Sequence, residues 1–316
     1  AITEPRVDYA GNSGNIISAL GLYAVEEGIV PAVAPETLVR VRNLNTQKII
    51  ELSVPVRDGA AEEDGDYSID GVPGTGPRID MVMRDPGGSL TGKLLPTGRS
   101  TDALDVPGLG RVECSLVDAG NPAVFVNGAA VGIDPTRGVG SVNGDEALLE
   151  RLQRVRSAAS VAMGLVKRPE EAWTHSPMVP FLVMVWAPAN YPRFDDPKRQ
   201  VAAAETDICA RVISLGKLHK SINVTMSTAL TAAALIPGTL PNAIAGKAAA
   251  TGQLRTGHPC GVVHTWGALE QRNGTPHIPF VRMGRTARRI MQGEILVQPH
   301  KLRHLRALMA APVPNP

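Results

Sequence analysis

Short runs of Val, Ile and Leu, cut at intervals by Gly and Pro, make up most of the chain. Residues 49–56, 78–84, 111–116 and 123–126 read as strands, bounded by turn pairs such as Asp58-Gly59, Pro73-Gly74 and Pro86-Gly87. Two stretches carry helical spacing instead. Residues 13–27 place Ile16, Ile17, Leu20, Tyr23 and Ala24 on a helical repeat, with Gly28 as the C-cap. Residues 225–235 are apolar almost all round (Ala229, Leu230, Ala232, Ala233, Ala234) and stop at Pro237-Gly238, so this helix demands burial on every side. A third helix is predicted over 144–166. It sets Glu146, Glu150, Arg151, Arg154 and Arg156 on one face and Leu, Val and Ala on the other, as a surface helix joining two halves would. The predicted fold class is α+β. Two pseudo-symmetric halves, residues 1–142 and 143–316, each wrap a mixed or antiparallel sheet around one central buried helix. No short-period repeat interrupts this layout.

Composition narrows the function. The 316 residues are 43% apolar and 20% charged, enough for a large core. Aromatics are only 3%, which disfavours base-stacking nucleic-acid modules. Net charge is +2, and the one dense basic run, residues 282–289 continuing to His300, Lys301, Arg303, His304 and Arg306, reads as a solvated helix face. No nucleic-acid partner is therefore expected. Three cysteines without CxxC spacing give neither a disulfide framework nor a zinc site, and they fit a reducing, cytoplasmic compartment. Cys114 falls in an alternating strand and Cys209 in an apolar helical run, both inert settings, whereas Cys260 lies in a loop between Pro259 and Gly261. The apolar run 178–187 is too short to span a membrane, and no signal peptide is visible.

Four short segments carry candidate chemistry. Gly11-Asn12-Ser13-Gly14-Asn15 opens the first helix, where unpaired N–H groups and the dipole favour a carboxylate; Ser13 or Asn12 serves equally well as a plain N-cap. Ser214-Leu215-Gly216-Lys217-Leu218-His219-Lys220 precedes the second buried helix. In an extended chain Lys217 and His219 share a face, and a desolvated Lys can act as a base, although such residues are as often merely solvated. Gly257-His258-Pro259-Cys260-Gly261 fixes a tight turn with a thiol in it. Asp118-Ala119-Gly120-Asn121-Pro122 ends a strand and can aim the Asn121 amide into a cleft. Gly71-Val72-Pro73-Gly74-Thr75-Gly76 lacks the ending and the following helix of a phosphate-binding loop, and no metal or nucleotide cofactor is predicted.

These segments together resemble the PrpF-like family, related in fold to diaminopimelate epimerase. The matching stretches include VDYAGNSGNIISALGLYAVEEGIV (7–30), TGKLLPTGR (91–99), LDVPGLGRVECSLVDAGNPAVFV (104–126), ARVISLGKLHK (210–220), IPGT (236–239) and TGHPCGV (256–262), in the family's order. The resemblance implies a cleft between two halves, with both central helices pointing their N-termini at the substrate. It further implies a cofactor-free isomerase of methylaconitate, methylitaconate, oxalomesaconate or aconitate, which abstracts an allylic proton and returns one elsewhere on the skeleton. On that basis Asn12, Gly14, Asn15, Asn121, Ser214, His258 and Gly261 bind carboxylates. Ser13 and Cys260 are the candidate proton carriers, with Lys217 and His219 as electrostatic or acid/base helpers.

The sequence departs from the family twice. Ser13 stands where the family's GNCGN motif has Cys, while Cys260 stands where its GHPSG turn has Ser. Either proton handling has moved across the cleft to Cys260, or Ser13 is a degenerate replacement. The family's opening segment, with a Lys that acts in proton transfer, has no counterpart after Ala1, so a preceding segment is expected in the intact protein. The rivals are an accessory protein that binds a polycarboxylate or assists an aconitase-like partner, and a racemase or epimerase of the same fold. The racemase is disfavoured because only one half offers a suitably placed thiol. A homodimer remains open.

Overall fold

A computed structural model describes residues 9–300. The helices are α1 (Gly14–Glu26), α2 (Val139–Asn143), α3 (Glu146–Ala162), α4 (Ala172–His175), α5 (Val224–Leu235) and α6 (Leu240–Ala249). Strands β1 (Glu36–Arg42), β2 (Ile49–Arg57), β3 (Ala60–Ala61) and β4 (Ile79–Arg84) follow α1. Next come β5 (Asp102–Val106), β6 (Gly110–Ala119) and β7 (Asn121–Asn127), then β8 (Phe181–Trp186), β9 (Tyr191–Pro192), β10 (Gln200–Val201), β11 (Ile208–Ser214) and β12 (Lys217–Leu218). The last are β13 (Gln253–His258), β14 (Gly261–Gly267), β15 (Glu270–Arg272), β16 (Thr275–His277) and β17 (Phe280–Arg285).

The fold is α+β, as the apolar pattern predicts. A 13-stranded mixed sheet runs β1-β2-β4-β17-β14-β13-β11-β8-β7-β6-β5, with β3 and β12 hung on β2 and β11. Most pairs are antiparallel; β7 with β8 and β11 with β13 are parallel. Strands from both sides of Val142 interleave in it. β17 pairs with β4 through Phe280↔Arg84 to Arg285↔Ile79, and β7 pairs with β8 through Ala123↔Phe181 to Asn127↔Val185.

The two central helices differ. Eleven of the twelve residues of α5 are buried, because β6, β7, β14, β17 and α6 surround it. α1 packs on β1, β2 and β3 with Ile17, Gly21, Leu22 and Val25, and a side chain at Gly21 would press on Leu52 and Val54. Ile16, Leu20 and Tyr23 stay exposed among the described residues, so α1 is less buried than the central helix that the two-half layout predicts.

Three further expectations change. Cys209 lies in β11 rather than in a helix, since Cys209 to Ile213 pair with β8. Arg156 is not on the solvated face of α3. It is 3% exposed, and its guanidinium donates to the carbonyls of Ala172, Ser176 and Val179. Burial without a carboxylate partner pulls its pKa down to about 10. The basic run begins as a strand, not a helix: Arg282 and Arg285 belong to β17, and Arg289 pairs with Glu26 and Glu27 at the end of α1. Its members Lys301, Arg303, His304 and Arg306 lie outside the described residues. No single helix among the described residues is long and apolar enough to cross a membrane; α5 and α6 are apolar together but meet at 83°.

Candidate active site

The N-termini of α1 and α5 meet. A side chain at Gly14 would collide with Val224, the first residue of α5, so only glycine allows this approach. Asn121, at the β6–β7 hairpin, fastens the junction. Its Oδ1 accepts from the Asn12 N–H at 3.0 Å, while its Nδ2 donates to the Asn12 carbonyl at 3.1 Å and to Thr225 Oγ1 at 3.2 Å. Asn121 is wholly buried and spends its amide on this bracing.

Beside the junction lies a cavity of about 200 Å³, lined by Asn12, Ser13, Gly14, Asn15, Met178, Phe181, Ser214, His219, Asn223 and Thr225. The two helix starts are finished differently. At α5 the Asn223 side chain accepts from the Met226 N–H at 2.9 Å, an ordinary N-cap. At α1 Ser13 occupies the N-cap position but makes no side-chain cap, and its side chain is exposed. The plain cap expected of Ser13 or Asn12 is therefore absent, and first-turn donors of α1 face the cavity uncapped. Asn12 is 6% exposed, yet neither Nδ2 nor Oδ1 has a hydrogen-bond partner among the described residues. A buried amide left unpaired costs about 1–3 kcal/mol, so a ligand that reaches it gains that much in return.

Of the segments singled out from sequence, the cavity gathers Asn12, Ser13, Gly14, Asn15, Ser214 and His219. The type of turn explains the last two. Leu215 (φ 48°) and Gly216 (φ 74°) form a two-residue hairpin that returns β12 along β11, so His219 donates its backbone N–H to Val212. His219 Nδ1 lies 3.1 Å from the Ser221 N–H donor. Lys217 shares that hairpin but is exposed, with Nζ donating to the Asn143 carbonyl at 3.1 Å.

His258, Cys260 and Gly261 belong to the β13–β14 turn, which packs against Lys220 and Ser221, between His219 and Asn223 of the cavity wall. His258 is buried, and its Nδ1 accepts from the Cys260 N–H at 3.2 Å and lies 3.3 Å from Ser221 Oγ. Burial pushes its pKa down to about 3, against an opposing pull from Asp70. The ring is thus neutral, with its proton on Nε2. Cys260 Sγ donates to the Lys220 carbonyl at 2.9 Å, and burial raises its pKa. At Gly261 a side chain would strike the Asp70 carboxylate, which accepts from the Val262 N–H and pairs with Arg193.

Sequence reasoning missed Met178, Phe181, Asn223 and Thr225 as cavity wall. The Arg156 guanidinium holds the loop that carries Met178, a link made by tertiary folding with no local signal. In the segment 118–122 sequence reasoning marked Asn121 but assigned no role to Asp118, whose carboxylate accepts from Ser89, the Leu90 and Thr91 N–H groups and Thr91 Oγ1, and so moulds the TGKLLPTGR loop. No group of three His, Cys, Asp or Glu that could hold a metal occurs among the described residues.

Two abutting helix N-termini, an uncapped first turn and an unpaired buried amide meet here, an arrangement whose chemistry suits a small organic anion. The chain belongs to the PrpF family: the model described as "PrpF protein" matches residues 1–298. It is 35% identical over 302 residues to a protein named 3-methylitaconate isomerase from Eubacterium barkeri, covering 96% of this chain and 78% of that one. A 2-methyl-aconitate isomerase from Shewanella oneidensis is 33% identical over 306 residues, covering 94% and 76%. A crystal structure of methylitaconate-delta-isomerase superposes with a TM-score of 0.79 at 34% identity, covering 96% of this chain and 76% of that one. The chain is an enzyme of the isomerase class.

Proposed function

We propose that this cleft binds an unsaturated polycarboxylate of the methylaconitate or methylitaconate kind and moves its double bond by removing an allylic proton and returning one elsewhere on the skeleton. The observation that carries the reading is the Asn12 amide, buried and unpaired beside the uncapped start of α1. A carboxylate placed there accepts from the amide and from first-turn N–H groups, and the helix dipole favours its charge. Removing the allylic proton spreads negative charge onto that carboxylate as a dienolate, so the same donors bind the intermediate more strongly than the substrate. Protonation at the far end of the dienolate restores neutrality at carbon and leaves the double bond shifted, with no atom gained or lost.

Ser13 and His219 are the proton-handling groups in this reading, because both line the cavity. The Ser221 backbone occupies His219 Nδ1, which leaves Nε2 as the nitrogen for transfer. Cys260 and Lys217 act through the framework, given the carbonyls that already hold them. Asn121 and His258 brace the wall instead of touching substrate. The division into halves, 1–142 and 143–316, belongs to the same proposal, with one helix N-terminus from each, as does a reducing, cytoplasmic setting for the three free thiols.

Proton NMR of the protein with cis- and trans-aconitate in deuterated water tests this. Deuterium entering the allylic position, with or without a new isomer, is the expected result. Ser13, a weaker acid/base than the family's Cys, favours a second reading, a polycarboxylate-binding accessory protein. Tight binding with no exchange would select that reading and sink the first.

A further inference from the structure

The start of α1 has a second unpaired polar group at its flank. Arg285, the last residue of β17, donates from Nη2 to Asn15 Oδ1 at 3.1 Å, and Asn15 lines the cleft. Its Nε is buried with no hydrogen-bond partner among the described residues. It makes no ion pair with a carboxylate there either; the titratable side chain that faces it is Tyr67. Arg289, four residues on, is by contrast satisfied by Glu26 and Glu27. Burying a guanidinium without a counter-anion is costly. The cleft edge is therefore one negative charge short, at a planar fork suited to a carboxylate.

We propose that Arg285 is a specificity-determining residue: with Asn15 it takes a carboxylate additional to the one held at the start of α1, so that the cleft selects a tricarboxylate over a dicarboxylate. This rests on reading the cleft as a polycarboxylate site. The amide of Asn15 presents Oδ1 to Arg285 and keeps its Nδ2 for the same carboxylate, so the two side chains form one clasp.

Calorimetric titration of the full chain with trans-aconitate and mesaconate decides the matter, because these acids share a skeleton and differ by one carboxylate. Wild type is expected to bind trans-aconitate at least about tenfold more tightly, the ratio typical of a charge-assisted hydrogen bond. Arg285→Met should abolish that preference while leaving mesaconate within about threefold, and Arg285→Lys should retain part of it. Asn12→Ala should weaken both acids together. If the Met variant does not fold, the Lys variant decides: an unchanged preference overturns the proposal. Asn12→Ala weakening both acids while Arg285→Met keeps the preference overturns Arg285 alone. If neither acid binds wild type, or neither variant alters binding, the reading of the cleft falls and Arg285 falls with it.

Discussion

Gly14 sets the separation of the two helix starts, and its missing side chain is what lets them touch. Gly14→Ala forces a methyl into Val224, and overpacking of this kind costs about 1–3 kcal/mol. Denaturant unfolding should show a lower midpoint at unchanged slope. Adding Val224→Ala should restore part of the loss, giving a coupling of at least about 0.5 kcal/mol, and strictly additive variants would contradict the contact. His258 provides a pH signature. Its folded pKa of about 3 lies below the ordinary 6.5, so between those values the unfolded chain binds a proton that the folded chain refuses. Stability therefore falls as pH drops through that window, by at most about 1.4 kcal/mol per pH unit from this residue. Asp70 opposes this shift, while the charges of Arg211, Arg193 and His219 add to it. Urea titrations of wild type and His258→Gln at pH 7, 5.5 and 4.5 measure it: the variant should lose less stability on acidification, and parallel losses would mean that the ring takes no part.

The two central helices begin differently, and single substitutions expose the difference. Asn223 caps α5 through the Met226 N–H, so Asn223→Ala should cost about 1 kcal/mol of unfolding free energy. Ser13 sits at the matching position of α1 but caps nothing, so Ser13→Ala should stay within about 0.5 kcal/mol of wild type. The same substitution removes a group assigned to proton transfer, so isomerase activity should fall by roughly 100-fold while the melting curve hardly moves. A stability loss matching that of Asn223→Ala would make Ser13 a structural cap and withdraw it from the chemistry. The hairpin β11–β12 shows why spacing alone misplaces residues. Lys217 and His219 stand two apart, as a shared face requires, yet Lys217 ends on the Asn143 carbonyl and only His219 reaches the cleft.

At the scale of the molecule, β17 lies between β4 and β14 and so ties the strands around α1 to those around α5. A single sheet of this kind has no seam along which one part can melt first. Thermal unfolding followed by far-UV circular dichroism and by fluorescence of Trp173, Trp186 and Trp266 should coincide in one transition; two separated transitions would show that the shared strands do not couple the halves. Much of this organisation is legible in the chain. Alternating apolar residues in 49–56 and 78–84, the all-round apolar character of 225–235 and the glycines of 11–15 specify strands, a buried helix and a close backbone approach, because each depends on neighbours along the backbone. The motifs likewise mark Asn12, Ser13, Ser214 and His219. What folding alone decided is which marked residues meet. Asn121 turns inward to brace Asn12 and Thr225, His258 and Cys260 close a turn against residues 220 and 221, Arg156 leaves an apparently solvated pattern for a buried position, and Arg285 buries its Nε. Those outcomes depend on strand order and on long-range partners for buried polar groups, and a local pattern of polar and apolar residues holds no information about either.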